Sequence, residues 1–191
     1  MLPRELAVDS EGNVYVAVTD THEVEKYGAD GSYLFTLGGF GPEDGRFRDP
    51  VGVAVDGDGN VYVADAENFR VQAFDSTGEF VRKWGSVGSN NGQFLTLSGI
   101  AADAAGNSYV LDTGNESLQV FSNNGDFVRK CCTASGAKGV ALGPEGSVYV
   151  VYEDNNRVIK FNASGDILKQ WGIEGTGAGQ FQGPTSIGVD G

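Results

Sequence analysis

One sentence of residues is written four times in this 191-residue chain, and the copies superpose almost letter for letter. A turn glycine recurs at Gly12, Gly59, Gly106 and Gly146, giving steps of 47, 47 and 40 residues. Tyr15, Tyr62, Tyr109 and Tyr149 keep the same steps, as do Gly31, Gly78, Gly125 and Gly165. A period of roughly 40 to 50 residues that holds four strand-like runs is the mark of a propeller blade.

The second copy shows why each run becomes a strand. Gly52-Val-Ala-Val-Asp56 is short and apolar, as an inner strand packed on both faces requires. Gly57-Asp58-Gly59 is a turn, and Val61-Tyr62-Val63-Ala64 is β-branched and aromatic. Val71-Gln72-Ala73-Phe74 alternates with period two and predicts one buried face. Phe80-Val81-Arg82-Lys83-Trp84, after the Gly78 turn, is the wettest and outermost strand. The reading is all-β: a β-propeller of four-stranded antiparallel blades, about four of them. The blades are expected at residues 3–49, 50–97, 98–136 and 137–183, within one domain over 1–191. A single blade cannot bury both faces, so blades stack around an axis. Phe47, Phe94 and Phe181 stand at equivalent linker positions and are expected to plug the seams between blades. In the third copy Cys131-Cys132 replaces the Trp-Gly of Trp84-Gly85 and Trp171-Gly172, and the linker is shortened, which predicts the most altered seam there.

The string Gly59-Asn60-Val61-Tyr62-Val63-Ala64-Asp65-Ala66-Glu67-Asn68-Phe69-Arg70-Val71 resembles the NHL repeat, a family of β-propellers commonly with six blades. The resemblance covers nearly the whole chain. The third copy keeps Asp112 and Asn115 but has Ser117 in place of Arg, and the fourth keeps Asn155 and Arg157 but has Tyr152 in place of Asp. The first has Val18 and Glu23, losing both charges. An Asp–Arg pair in this loop serves structure as readily as binding. Residues 184–191 repeat the first strand of a fifth blade, and six blades at this period need about 270 residues. The expectation is therefore a partial or open propeller, part of a larger protein, whose exposed end blades drive self-association.

Composition removes several function classes. The formal net charge is −13, from 26 acidic against 13 basic residues, and nucleic-acid binding needs clustered cations. No nucleic-acid partner is expected, which disfavours the RNA-binding use that the resemblance brings with tripartite-motif NHL domains. No apolar run approaches the ~20 residues of a membrane span, and the N-terminal residues lack a secretion-signal pattern. No membrane insertion is expected, and the compartment stays open. Cys131 and Cys132 are neighbours; a bridge between them would be a strained ring, so free thiols or small buried hydrophobes are expected.

Catalytic candidates are few. His22 is the one histidine, read as an exposed loop residue, so a multi-histidine zinc site cannot be assembled from this chain. The resemblance brings in zinc-dependent lyases, which need histidines missing here. Asp56, Asp58, Asn60 and Glu67 fall at calcium-loop spacing, but Val61 stands where that loop needs glycine, so the segment reads as a hairpin turn. No cofactor, Ca or Zn, is expected.

Binding belongs on long loops held by a rigid scaffold. The connections between second and third strands share a face with the long linkers Gly38–Asp49, Gly85–Leu97 and Gly172–Gly183. The candidate binding residues on that face are Asp65, Asn68, Arg70, Asp112, Asn115, Asn155 and Arg157. The function expected is a non-enzymatic module that binds a protein or peptide. The alternative is an incomplete metal-dependent lyase or hydrolase of the propeller type.

Overall fold

A computed structural model describes residues 3–133 and 135–189; the last two positions of the expected fifth strand, 190 and 191, lie outside the described residues. The chain forms four antiparallel four-stranded sheets, each in simple sequential order. The first comprises β1 (Pro3–Val8), β2 (Val14–Val18), β3 (Glu23–Tyr27) and β4 (Tyr33–Gly38). The second comprises β5 (Pro50–Val55), β6 (Val61–Asp65), β7 (Arg70–Phe74) and β8 (Phe80–Trp84). In the third, β9 (Leu97–Ala102) is followed by β10 (Ser108–Asp112), β11 (Ser117–Phe121) and β12 (Phe127–Thr133). The fourth holds β13 (Ala137–Gly143), β14 (Ser147–Tyr152), β15 (Arg157–Phe161) and β16 (Ile167–Trp171). This is a four-bladed β-propeller, with only two short 3-10 turns among the described residues. Among the described residues no helix is long and apolar enough to cross a membrane.

Hairpin chemistry sets the register. Asp56 Oδ1 accepts the backbone N–H groups of Asp58 at 3.0 Å and Asn60 at 2.9 Å, while its Oδ2 accepts the Tyr62 hydroxyl at 2.9 Å. Asp9 and Asp103 close their turns in the same way. The aspartate of the calcium-like spacing is thus the closing residue of a turn, an Asx device that fixes a tight connection.

Each seam is one hydrophobic core shared by two blades. Phe47 joins Tyr15, Leu37, Val53, Val63 and Phe74 between the first and second blades. Phe94 joins Trp84, Tyr62, Ile100 and Phe121 between the second and third. The plugs sit where glycine has cleared the way: a Cβ at Gly38 would stand 2.3 Å from the Phe47 ring, and one at Gly85 would stand 2.5 Å from Phe94. Positive φ at both glycines, 100° and 103°, turns the chain into the linker. The third seam differs, as the sequence predicts. Cys131, Leu118, Val140 and Val150 fill it, and among the described residues it lacks the bridge within the linker that Phe47, Phe94 and Phe181 make elsewhere.

Middle blades are covered on both faces and end blades on one. Every residue of β6 and β7 is buried, whereas every residue of β16 is exposed. Leu6 in β1 is 63% exposed and Ile167 in β16 is 60% exposed. Strong contacts run from β1 to β5, from β5 to β9 and from β9 to β13. Residues 184–189 continue this inner circle by lying against β13, with Thr185 and Ser186 over Gly139 and Val189 over Gly143.

Candidate functional site

The face chosen from the sequence is built as expected: the connection after β6 and the preceding linker lie together. Ala66 and Glu67 donate their backbone N–H groups to the carbonyls of Asp49 and Arg48. The Asp65 carboxylate is fully buried there. It accepts Arg70 Nε at 2.7 Å, the Arg48 amide at 2.7 Å and Asn68 Nδ2 at 2.9 Å. Arg70 Nη2 donates to the carbonyls of Glu43 and Arg46, both at 2.8 Å, and its Nη1 lies 3.7 Å from the Asp44 carboxylate. Burial raises the Asp65 carboxyl above the usual aspartate value, against the pull of the Arg48 amide, Asn68 and Arg70. Asp65, Asn68 and Arg70 thereby form a knot that ties linker to blade, with most of their hydrogen-bonding capacity spent on the chain itself.

The third blade repeats the knot without a cation. Asp112 accepts the amides of Thr96 at 2.9 Å and Leu95 at 3.2 Å, and Asn115 Nδ2 reaches both Asp112 and the Gly88 carbonyl. Ser117, in the arginine's place, leaves its hydroxyl unpartnered. In the fourth blade Asn155 is exposed, and Arg157 bonds to Gln170 at 3.5 Å. The seven candidates therefore do not converge on one pocket: five are linker anchors of two blades, and two stand apart on the last.

Two glutamines extend these anchors. Gln72 and Gln119 are fully buried, although the alternating pattern of β7 predicts a wet position at 72. Gln72 Oε1 accepts the Gly45 amide at 2.9 Å, and its Nε2 donates to the Arg46 carbonyl at 2.7 Å. Gln119 does the same to Gly92 and Gln93. A linker folded over the strand supplies backbone partners, so a polar side chain can be buried there. His22 is half-buried rather than exposed; its Nδ1 accepts the Asp49 amide at 3.1 Å and its ring packs on Phe40.

The same face holds a cavity of about 490 Å³ on the propeller axis. Arg4, Glu5, Thr96, Ser98, Thr113, Lys138, Glu153, Thr185 and Ser186 contribute to its wall. Glu5 stands at the register position held by Gly52, Gly99 and Gly139 in the other blades. A Cβ at Gly52 would come within 2.4 Å of Glu5 Oε2, so the glycine leaves the room that the carboxyl fills. Burial pushes the Glu5 carboxyl up to about 8, opposed by the amides of Ile100 and Val53. Glu5 Oε2 and Ser98 Oγ are buried and unpartnered. Lys138 pairs with Glu153 at 3.1 Å at the rim. A second space of about 540 Å³ lies between Ser186–Gly188 and Pro3–Leu6 and shares Pro3, Arg4, Glu5 and Ser186 with the first. Among the described residues no group of three or more His, Cys, Asp or Glu side chains gathers as a metal cluster.

Residues 47–74, running from the first plug phenylalanine to the end of β7, match the NHL repeat. The second blade is an NHL repeat. The three other blades share its strand order and turn spacing. No curated protein matches the chain in sequence. Among solved structures, hydrazine synthase from Kuenenia stuttgartiensis superposes with a TM-score of 0.69 at 20% identity, over 88% of this chain and 48% of that one. A streptogramin B lyase superposes with a TM-score of 0.69 at 16% identity, over 91% and 55%. A catalytically inactive virginiamycin B lyase from Staphylococcus aureus, with quinupristin, gives 0.66 at 14% identity, over 88% and 55%. The chain spans about half the length of these proteins, and at such identities the likeness is one of fold alone.

Glu5, Ser98 and Lys138 were not among the candidates drawn from the sequence. One signal was available for Glu5: it is the sole charged residue in a column otherwise held by Gly52, Gly99 and Gly139.

Proposed function

We propose that this NHL-repeat propeller is a non-enzymatic module that binds an extended protein or peptide segment across the mouth of its axial cavity. The observation that carries this reading is the pair of unpartnered buried groups there, Glu5 Oε2 and Ser98 Oγ. Buried polar atoms without partners are rare in folded proteins, and a ligand that supplies them gains what the empty site lacks. The cavity adjoins the second space along Pro3–Glu5, so the cleft is elongated and suits a chain better than a compact metabolite. Thr96 and Thr113 place the mouth on the loop face, beside the linkers that the Asp65 and Asp112 knots hold rigid.

Selection from a displayed peptide library, followed by titration of the recovered peptides, tests the proposal. Glu5→Ala and Lys138→Glu are expected to weaken binding at least tenfold while the chain stays folded. Peptides that bind both variants as tightly as the parent, or a library that yields none, would overturn it.

A further inference from the structure

Cys131 and Cys132 lie near the end of β12, the last strand of the third blade. Cross-strand pairing sets Cys131 opposite Leu118, as Trp84 lies opposite Val71 and Trp171 opposite Val158. Cys132 then falls where the other blades have Gly38, Gly85 and Gly172, whose φ angles are 100°, 103° and 97°. Cys132 takes φ 45° there, a left-handed backbone that a residue with a Cβ adopts only under constraint. The two sulfurs lie 3.7 Å apart and are both free thiols. Arg129, two residues earlier in β12, points its side chain to the same side as Cys131. A Cβ on Gly165 would meet the Cys131 Cβ at 2.9 Å, which places the pair in the seam between third and fourth blades.

We propose that Cys131 and Cys132 are a reversible oxidation site for hydrogen peroxide. The Cys131 sulfur attacks one peroxide oxygen, the O–O bond breaks, and the departing hydroxide takes up a proton to leave as water. Cys131 is then a sulfenic acid. The Cys132 sulfur attacks the Cys131 sulfur, the S–O bond breaks, and the hydroxide leaves as a second water with the Cys132 proton. Two thiols have lost two electrons, and peroxide has been reduced to two waters.

The local chemistry fits the two roles. The hydrogen bond from the Cys132 thiol brings Cys131 down to about 7; burial works against this, and Arg129 adds to it. Cys132 is pushed up by the same hydrogen bond and by burial, so it keeps the proton that the second step releases. Cys131 is buried and Cys132 partly so, which admits a small oxidant in preference to a bulky disulfide. A bridge between neighbouring residues closes a strained ring, and strained bridges are the readily reduced ones.

Thiol titration and intact mass after peroxide treatment of the full chain decide the matter. Both thiols are expected to vanish together, with the mass lower by two hydrogens, no link between chains, and full recovery on dithiothreitol. Cys132→Ser is expected to stop at a sulfenic acid on Cys131 that dimedone traps, and Arg129→Ala to slow the oxidation several-fold. Thiols that remain alkylatable, loss only through links between chains, or a Cys132→Ser protein without a dimedone adduct would each overturn the proposal. The parent-chain measurement decides alone if a variant fails to fold.

Discussion

A Cβ on Gly52 would stand 2.4 Å from Glu5 Oε2, so the second blade's glycine and the first blade's carboxyl claim the same space at the axis. Gly52→Ala must displace Glu5 and also crowds the Ile100 amide, 3.2 Å from the added carbon. The expected cost is about 1–3 kcal/mol by urea unfolding. Removing the competitor in Glu5→Gly should return part of that cost, giving a coupling of about 1 kcal/mol in a double-mutant cycle. Strict additivity of the two changes would separate the residues.

Stability should fall as pH rises because of the same carboxyl. Folding raises Glu5 from 4.5 to about 8, so between these values the folded chain holds a proton that the unfolded chain has released. Its contribution is complete below pH 4.5 and is lost as pH climbs through about 8. Glu5→Gln keeps the neutral shape and should be more stable than the parent at pH 9, by on the order of 3 kcal/mol, and nearly equal at pH 4. Cys131 titrates in the upper part of this range with the opposite sign, and the comparison of parent with variant cancels it. Urea midpoints that track each other at both pH values would contradict this account.

Arg70→Ala is expected to cost about 3–5 kcal/mol, because it leaves the buried Asp65 carboxylate without its cation. Arg70→Lys should recover little: one ammonium cannot reach Asp65 and the carbonyls of Glu43 and Arg46 in the same fork. Chemical denaturation measures both. A folded Arg70→Ala chain with parental stability and lost peptide binding would instead return Arg70 to the recognition surface.

The fold was legible because three independent markers move in lockstep, and each has a local task. Gly59 turns the hairpin, Tyr62 gives its hydroxyl to Asp56, and Gly78 clears space for Leu37 of the preceding blade. The seam plugs were legible for the same reason, since Phe47 and Phe94 recur with their glycines. The loop face was legible in outline, but the packing task of its polar residues was not. The loop motif Asp65–Asn68–Arg70 is polar and variable, yet it closes on the linker backbone, a partner that no side-chain pattern reveals. Gln72 went astray through the same cause. Lys138 and Ser98 meet at the axis only after four blades curve round it, and such long-range convergence leaves no periodic trace.

Position in the arc should decide what a seam residue is worth. Phe94 is fully buried between two blades, and Phe94→Ala is expected to cost about 3–5 kcal/mol. Phe181 makes the equivalent bridge from its linker but is only half-buried, so Phe181→Ala should cost less than half as much. The tryptophans give a second test of the same rule. Trp84 is 9% exposed and its ring covers Gly125 of the next blade, whereas Trp171 is 37% exposed. Gly31, the first blade's counterpart of Gly125, has no atom within 4 Å of an added Cβ, so no blade covers it either. Trp84→Ala should therefore lower the melting temperature far more than Trp171→Ala in dilute protein. If the two variants lose equal stability at low concentration, the last blade is covered in solution, and light scattering at that concentration should then show a mass above that of one chain.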